Sequence, residues 1–280
     1  MAARVGAMNV RLARIALYAA LAVGAVLALL PLVWMVSASL MPAGMANTYP
    51  PRLLPTTITF EHYETLFTRL NLARYFVNSS IIALAITAFS LLINSMAGYA
   101  FAKFRFRGRD GVFGLLTAGL QIPVQVVMLP LFLLLKSMGV INTYWGVIIP
   151  SMASIFGIFL IRQYTMSVPD DLLDAARIDG AGEFRIYWSI VLPVIRPILA
   201  TLAIWTFLNA WNDFMWPLIV LSDEQKYTLP VALASLSGEH VQDTELMMAG
   251  SVATIAPVVL VFIFLQRYYM QGVTAGSVKG

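Results

Sequence analysis

The side chains in this chain that could do chemistry are few, and most are neutral. Within its apolar stretches lie Gln121 and Gln125, Ser151 and Ser154, and Asn209, Asn212 and Asp213. Amides and hydroxyls donate and accept hydrogen bonds without ionising. That chemistry suits a solute built of hydroxyl groups, and does not suit bond cleavage. The chain has no cysteine, and its two histidines, His62 and His240, stand too far apart in sequence to suggest a metal site. No Cys, His or paired carboxylate falls within an apolar stretch, so no nucleophile with its base can be assembled there and a membrane-embedded enzyme is the weakest reading. No G-x-x-x-x-G-K-[ST] occurs either, so the chain has no P-loop and no cofactor site of its own for ATP.

Composition says what must position these residues. Of 280 residues 60% are hydrophobic and only 11% charged, against about 25% charged in a soluble domain. The chain is therefore an all-α integral membrane protein. Charge-poor stretches predict six transmembrane helices in a single domain, over about 14–40, 76–102, 112–135, 143–162, 197–221 and 246–266. The fifth reaches spanning length only by carrying Asp213 within it.

Pro123 and Pro130 interrupt the third span, and the four-residue spacing puts Gln121 and Gln125 on one helix face. Two readings are open for the amides and hydroxyls. Proline-broken polar helices line cavities in transporters, and the same side chains also bond neighbouring helices together. Asp213 is either functional or the solvated end of a span. Asn94, Gly98 and Ala102 make a four-spaced small ridge for helix packing.

The 18 basic residues are scattered rather than gathered on a stripe, which argues against nucleic acid and for membrane orientation. With six spans and the N-terminus inside, 13 of them fall on the inner side, among them Arg4, Arg11, Arg14 and the "FRFRGRD" run, and 5 on the outer. Both termini are thereby expected in the cytoplasm, and the long first apolar run is an anchor, not a cleaved leader. In the outer segment after the first span, "TFEHYETLFTRL" spaces Phe60, Tyr63, Leu66 and Phe67 as an amphipathic helix for the outer membrane surface.

One inner segment is unlike the rest. "PDDLLDAARIDG", residues 169–180, opens on a proline suited to a first helical turn and on acids suited to a helix N-terminus, and it closes on Gly180. It predicts a helix of about ten residues, roughly 15 Å long at 1.5 Å per residue, with Leu172, Ala175, Ala176 and Asp179 along one side. A helix this short is not stable alone in water, so it should dock.

The stretch "DAARIDGAGEFRIYWSIVLPVIRP" resembles the signature loop of ABC importer permeases. "NSMAGYAFAKFRFRGRD", "QIPVQVVMLPLFLLLKSMGVINTYWGVIIP", "WNDFMWPL" and "QGVTAGSVKG" resemble the smaller permease subunit of the carbohydrate, maltose-type branch. The resemblance implies the type I importer permease fold, with residues 169–180 as a coupling helix that sits in a cleft on a cytoplasmic ATPase. The carried-over coupling residues are Leu172, Asp174, Ala175, Ala176, Asp179, Gly180 and Ala181, with Asp174 standing where glutamate is usual. It further implies that the tail around Thr274, Ala275, Gly276 and Lys279 reaches into the ATPase dimer. The implied partners are a second homologous permease, a dimer of P-loop ATPases that binds ATP and Mg, an extracytoplasmic sugar-binding protein and membrane lipid. The implied place is the inner membrane of a bacterium or archaeon, and the implied cargo a di- or oligosaccharide. The competing reading is a stand-alone secondary transporter, which would need internal repeats and an intramembrane ionisable relay; the chain shows no such repeat, and only Asp213 as an acidic candidate.

Overall fold

The computed structural model describes residues 2–50, 52–239 and 243–275, and side chains over 13–50, 52–236 and 243–264. His240, Gly276 and Lys279 lie outside the described residues. The described chain contains helices and turns and no strand. It divides into two units, Met1–Asn71 with Ser235–Ile255 and Leu72–Ala234 with Ala256–Gly280.

The first unit begins with α1, Ala2–Ala38, whose apolar part Ala13–Ala38 is long enough to cross a membrane and is not buried by the chain itself. Beyond it Ala38, Met41 and Ala46 form a small core with Trp34, Met45 and Met248. The α2 helix, Glu61–Thr68, is held on this core by Leu66, which is fully buried, and by His62, whose Nε2 lies 2.9 Å from the Met41 carbonyl oxygen. Tyr63 Oη and Ser39 Oγ share a further bond of 2.8 Å. The expected apolar stripe is split: Leu66 faces the core while Phe60 and Phe67, seven residues apart, are exposed. Four-residue spacing puts His62 beside Leu66 on the buried face, a position the apolar pattern alone does not mark.

The second unit is built on α3, Leu72–Lys103, a span of 32 residues. After it come α4, Arg109–Ala118, which tightens into a 3-10 turn over Gly119–Gln121, and α5, Val124–Ser137. Next are α6, Tyr144–Ser151, and α7, Ile155–Thr165, which together make a 22-residue span. The short α8, Asp170–Ile178, leads into α9, Glu183–Ile186, which widens to a π turn over Tyr187–Val191 before α10, Leu192–Val194. Then follow α11, Arg196–Asn212, α12, Met215–Val220, and two helices that each belong in part to the first unit, α13, Leu229–Glu239, and α14, Thr244–Ala275. Gly98 is what lets α3 and α7 meet: a Cβ there would stand 2.6 Å from Ile161 Cγ2.

Among the described residues four helices are long and apolar enough to cross a membrane, or up to six if each of two bent pairs counts as one. Two expected spans are corrected. The third is not straight, because α4 with its 3-10 turn meets α5 at 107°. Pro123 has no N–H to continue the ladder and forces Ile122 into an extended conformation, at φ −84°, ψ 119°. Gln121 and Gln125 therefore lie on different helices and share no face. The fifth is not one helix over 197–221 either, since α11 stops at Asn212 and Asp213 is extended, at ψ 118°.

Candidate coupling helix and solute path

The α8 helix is terminated by backbone chemistry that only glycine accommodates well. Gly180 adopts φ +80°, its N–H donates to the Arg177 carbonyl at 3.0 Å, and the Ala181 N–H reaches back to the Ala176 carbonyl at 2.9 Å. This pair of bonds is the Schellman closure, which satisfies two carbonyls the helix end would leave free. At the other end Pro169 is the cap rather than part of the first turn, with Asp170 and Asp171 behind it.

One buried side chain seats the helix. Leu173 is fully buried in a core with Tyr99, Ile161, Val168, Ile186, Tyr187 and Val191, and Ala176 and Ala181 pack against that core from its edge. Ala176 thus turns inward, three residues from Leu173, and does not share the open side expected for it. Leu172, Ala175 and Asp179 do form an exposed face at three and four spacing, extended by Ile178 at 86% exposure. Leu173 and Ile178 escaped the sequence reading. The signal for the buried side is the three-residue spacing of Leu173 and Ala176.

An ion pair ties the start of α8 to α3, and another ties its end to Glu183 of α9. Lys103 donates through Nζ to Asp170 Oδ1 and to the Val168 carbonyl, both at 2.6 Å. That hydrogen bond holds the Asp170 carboxyl below its ordinary pKa range. At the far end Arg177 donates to Glu183 Oε1 at 2.7 Å and to Asp174 Oδ1 at 2.6 Å. Tyr99, one turn before Lys103, donates to the other Glu183 oxygen at 2.9 Å. One more turn back, Ser95 Oγ meets Tyr187 Oη of the π turn at 2.7 Å. Ser95, Tyr99 and Lys103 are four apart, so a single face of α3 holds α8 and the segment that leads to α11.

The membrane-depth polar residues are distributed as follows. Gln121 and Gln125 are exposed on either side of the bend, and Ser151, half-buried, ends α6. Ser154 caps α7 by accepting the Gly157 N–H at 2.9 Å, and its own N–H donates to Asn94 Oδ1 at 3.1 Å. Asp213 Oδ1 accepts from the Trp216 N–H at 3.3 Å, at the start of α12. Asn209 and Asn212 spend one amide hydrogen each on the carbonyls of Trp205 and Leu208, at 2.7 and 2.8 Å, and both remain exposed. Trp205 is one turn before Asn209 and 52% exposed, with Phe156 of α7 beside it at 5.4 Å between ring centroids. The structure therefore brings Trp205, Asn209 and Asn212 into one exposed stripe on α11. It brings neither glutamine to a shared helix face. The aromatic pair was missed because nothing in sequence joins Phe156 to Trp205. Thr274 and Ala275 fall at the end of α14, where no side chains are described.

Residues 91–274 match the family described as the binding-protein-dependent transport system inner membrane component. The chain belongs to this family. The permease is 42% identical to the arabinooligosaccharides transport system permease protein AraQ of Halalkalibacterium halodurans, over 91% of its own length and 93% of that protein. It is 34% identical to the lactose transport system permease protein LacG of Rhizobium radiobacter, over 96% and 97%. Among solved structures it resembles a chain of a bacterial ABC transporter involved in the import of the acidic polysaccharide alginate, with a TM-score of 0.83, 26% identity, and coverage of 92% of this chain and 97% of that one. The permease is thus an all-α, multi-pass inner-membrane subunit of an ABC importer, a transport chain whose ATP is hydrolysed by a separate subunit.

Proposed function

We propose that this permease forms, with a second permease, the path for an uncharged di- or oligosaccharide delivered by an extracytoplasmic binding protein. In this reading α8 is the coupling helix of residues 169–180, seated on a dimer of ATPases that binds ATP and Mg. The two bent pairs each count as one span, which gives six spans with both termini cytoplasmic, and the tail at Thr274, Ala275, Gly276 and Lys279 meets the ATPase. The observation that carries the reading is that α8 is fastened at its start to α3 by Lys103 and at its end, through Glu183, to the segment that leads to α11, with its outer face left bare. A partner that moves α8 moves Lys103 and Tyr99 with it, and through Tyr187 the segment leading to α11. ATP-bound partners then favour one state of the path by holding α8 differently in it.

The cargo follows from the stripe on α11. Exposed amides at Asn209 and Asn212 offer acceptors to sugar hydroxyls, and Trp205 with Phe156 offers ring faces to sugar C–H surfaces. Named relatives that carry arabinooligosaccharides and lactose agree with this chemistry.

The test is to express the chain with its neighbouring reading frames, purify the assembly and measure sugar-stimulated ATPase activity and uptake. Recovery of a P-loop ATPase and a second permease, with stimulation by a neutral oligosaccharide lost in Ala175→Trp, is expected. A chain that transports alone in liposomes without ATP, or an Ala175→Trp variant with normal uptake, overturns it.

A further inference from the structure

Beside the Lys103–Asp170 pair lies an open basic concavity of about 790 Å³, lined by Lys103, Arg105, Arg107, Arg109, Asp110 and Asp170 among others. Ligand sites typically have volumes of roughly 300–1,000 Å³. Four cations face two carboxylates in this lining. Both carboxylates are already matched: Asp170 pairs with Lys103 at 2.6 Å and Asp110 with Arg109 at 2.9 Å. Among the described residues Arg105 and Arg107 have no ion-pair partner, and both are exposed. Two free guanidiniums in one concavity are a ready receptor for a phosphate group.

Three further observations indicate what carries the phosphate. The cavity lies in the turn between α3, a membrane span, and α4, so it opens at a membrane surface. The α4 helix starts there on Gly108 without a side-chain cap, so the positive end of its dipole lies at the same place. An apolar strip leads away from the cavity: Phe106 lines it and is 46% exposed, and Leu115, four residues after the lining Gly111 and so on its face, is 77% exposed. A free phosphate would use the cations and leave this strip bare. A phospholipid uses both, with its headgroup on the arginines and an acyl chain along α4.

We infer that the cavity is a binding site for the headgroup of an anionic phospholipid, held by Arg105 and Arg107 beside the Lys103–Asp170 end of α8. Basic pockets at the ends of membrane helices are suited to such headgroups. The inference rests on the membrane placement of α3 and α4 and not on the docking role of α8, so it stands or falls separately from the coupling reading.

The permease, purified in detergent with the partners it retains, is incubated with dioleoyl phosphatidylglycerol or dioleoyl phosphatidylcholine, and retained lipid is counted by native mass spectrometry. Tenfold or greater preference for phosphatidylglycerol is expected. It should fall at least fivefold in Arg105→Gln/Arg107→Gln and persist in the control pair Arg52→Gln/Arg69→Gln. Equal retention of the two lipids, or an unchanged preference in the arginine double variant, overturns the site. Millimolar inorganic phosphate that displaces phosphatidylglycerol completely assigns an ion site instead and overturns the lipid. Should the glutamine pair fail to assemble, wild-type protein decides the matter. Its preference must decline as salt rises from 0.1 to 0.5 M, and one that does not change with salt is overturned as a charge effect.

Discussion

Two short helices, α2 and α8, are fastened in opposite ways. The α2 helix is held by Leu66 in the core, by His62 on a carbonyl at 2.9 Å with Asp243 4.0 Å from its other ring nitrogen, and by Tyr63 on Ser39 at 2.8 Å. The α8 helix has one buried anchor, Leu173, and its ends are held by ion pairs whose acids, Asp170 and Glu183, are 73% and 45% exposed. Pairs with an exposed partner weaken with salt, Lys103–Asp170 less than Arg177–Glu183 because the Lys103 side chain is only 6% exposed. Burial of a leucine contributes roughly 1.5–3 kcal/mol, and is indifferent to salt. The contrast separates an element built to stay from one whose ends can be released and re-formed, which is what a helix that transmits motion requires.

The largest expected effect breaks the contrast at the open face of α8. Ala175→Trp should cut coupled uptake by at least tenfold while the chain still inserts, because the bulk meets the docking partner and touches no core; uptake assays with a membrane-fraction immunoblot check it. Gly180→Pro belongs in the same class, since proline cannot adopt φ +80° and removes the N–H that bonds Arg177.

Next in size is Leu66→Ala on α2, expected to cost about 2–5 kcal/mol of local stability through the cavity it leaves. Thermal unfolding in detergent should register it, and the ratio of ATP hydrolysed to sugar moved should stay at the wild-type value. Equal uncoupling by this variant and by Ala175→Trp would erase the distinction between the two helices.

Gly180→Ala is smaller. The site has open space for a Cβ, so the cost is backbone strain alone, about 1–2 kcal/mol. Partial uptake is the expected outcome.

The smallest effects come from the clamps. Tyr99→Phe and Lys103→Gln should each lower coupling less than threefold, and the loss should mimic that of wild type in 0.5 M salt. Acidity sharpens the point. Because Lys103 depresses the Asp170 pKa, its pair contributes above the ordinary carboxylate range and is lost only as pH falls through the lower folded value. Between pH 5 and 8 Asp170→Asn should therefore show the same small, pH-independent deficit, measured as uptake in liposomes.

Much of this was legible in the sequence. The apolar stretches marked α1, α3, α6 with α7, and α14 as long membrane helices, because hydrophobic length is a local property. Pro169, the acids behind it and Gly180 marked both ends of α8 within a residue, since caps depend on residues adjacent in sequence. The break in the third span is legible at Pro123, but its angle of 107° depends on what packs against each half, and the stop of α11 before Asp213 in the fifth is not legible. The α2 stripe was drawn as one face, and His62 took a place assigned to aromatics because a carbonyl of Met41 was there to meet it.

By itself, then, the sequence determined the membrane class, the family resemblance and the existence and limits of α8. Tertiary structure alone decided which side of α8 is free, that one face of α3 holds α8 through Lys103 and the segment after it through Ser95 and Tyr99, that Phe156 joins the Trp205 and Asn209 stripe, and that Arg105 and Arg107 stay unpaired when their neighbours do not. The division has a physical reason. Hydropathy and capping act between residues a few positions apart, whereas partnership between charges 67 positions apart, such as Lys103 and Asp170, exists only once the helices have packed.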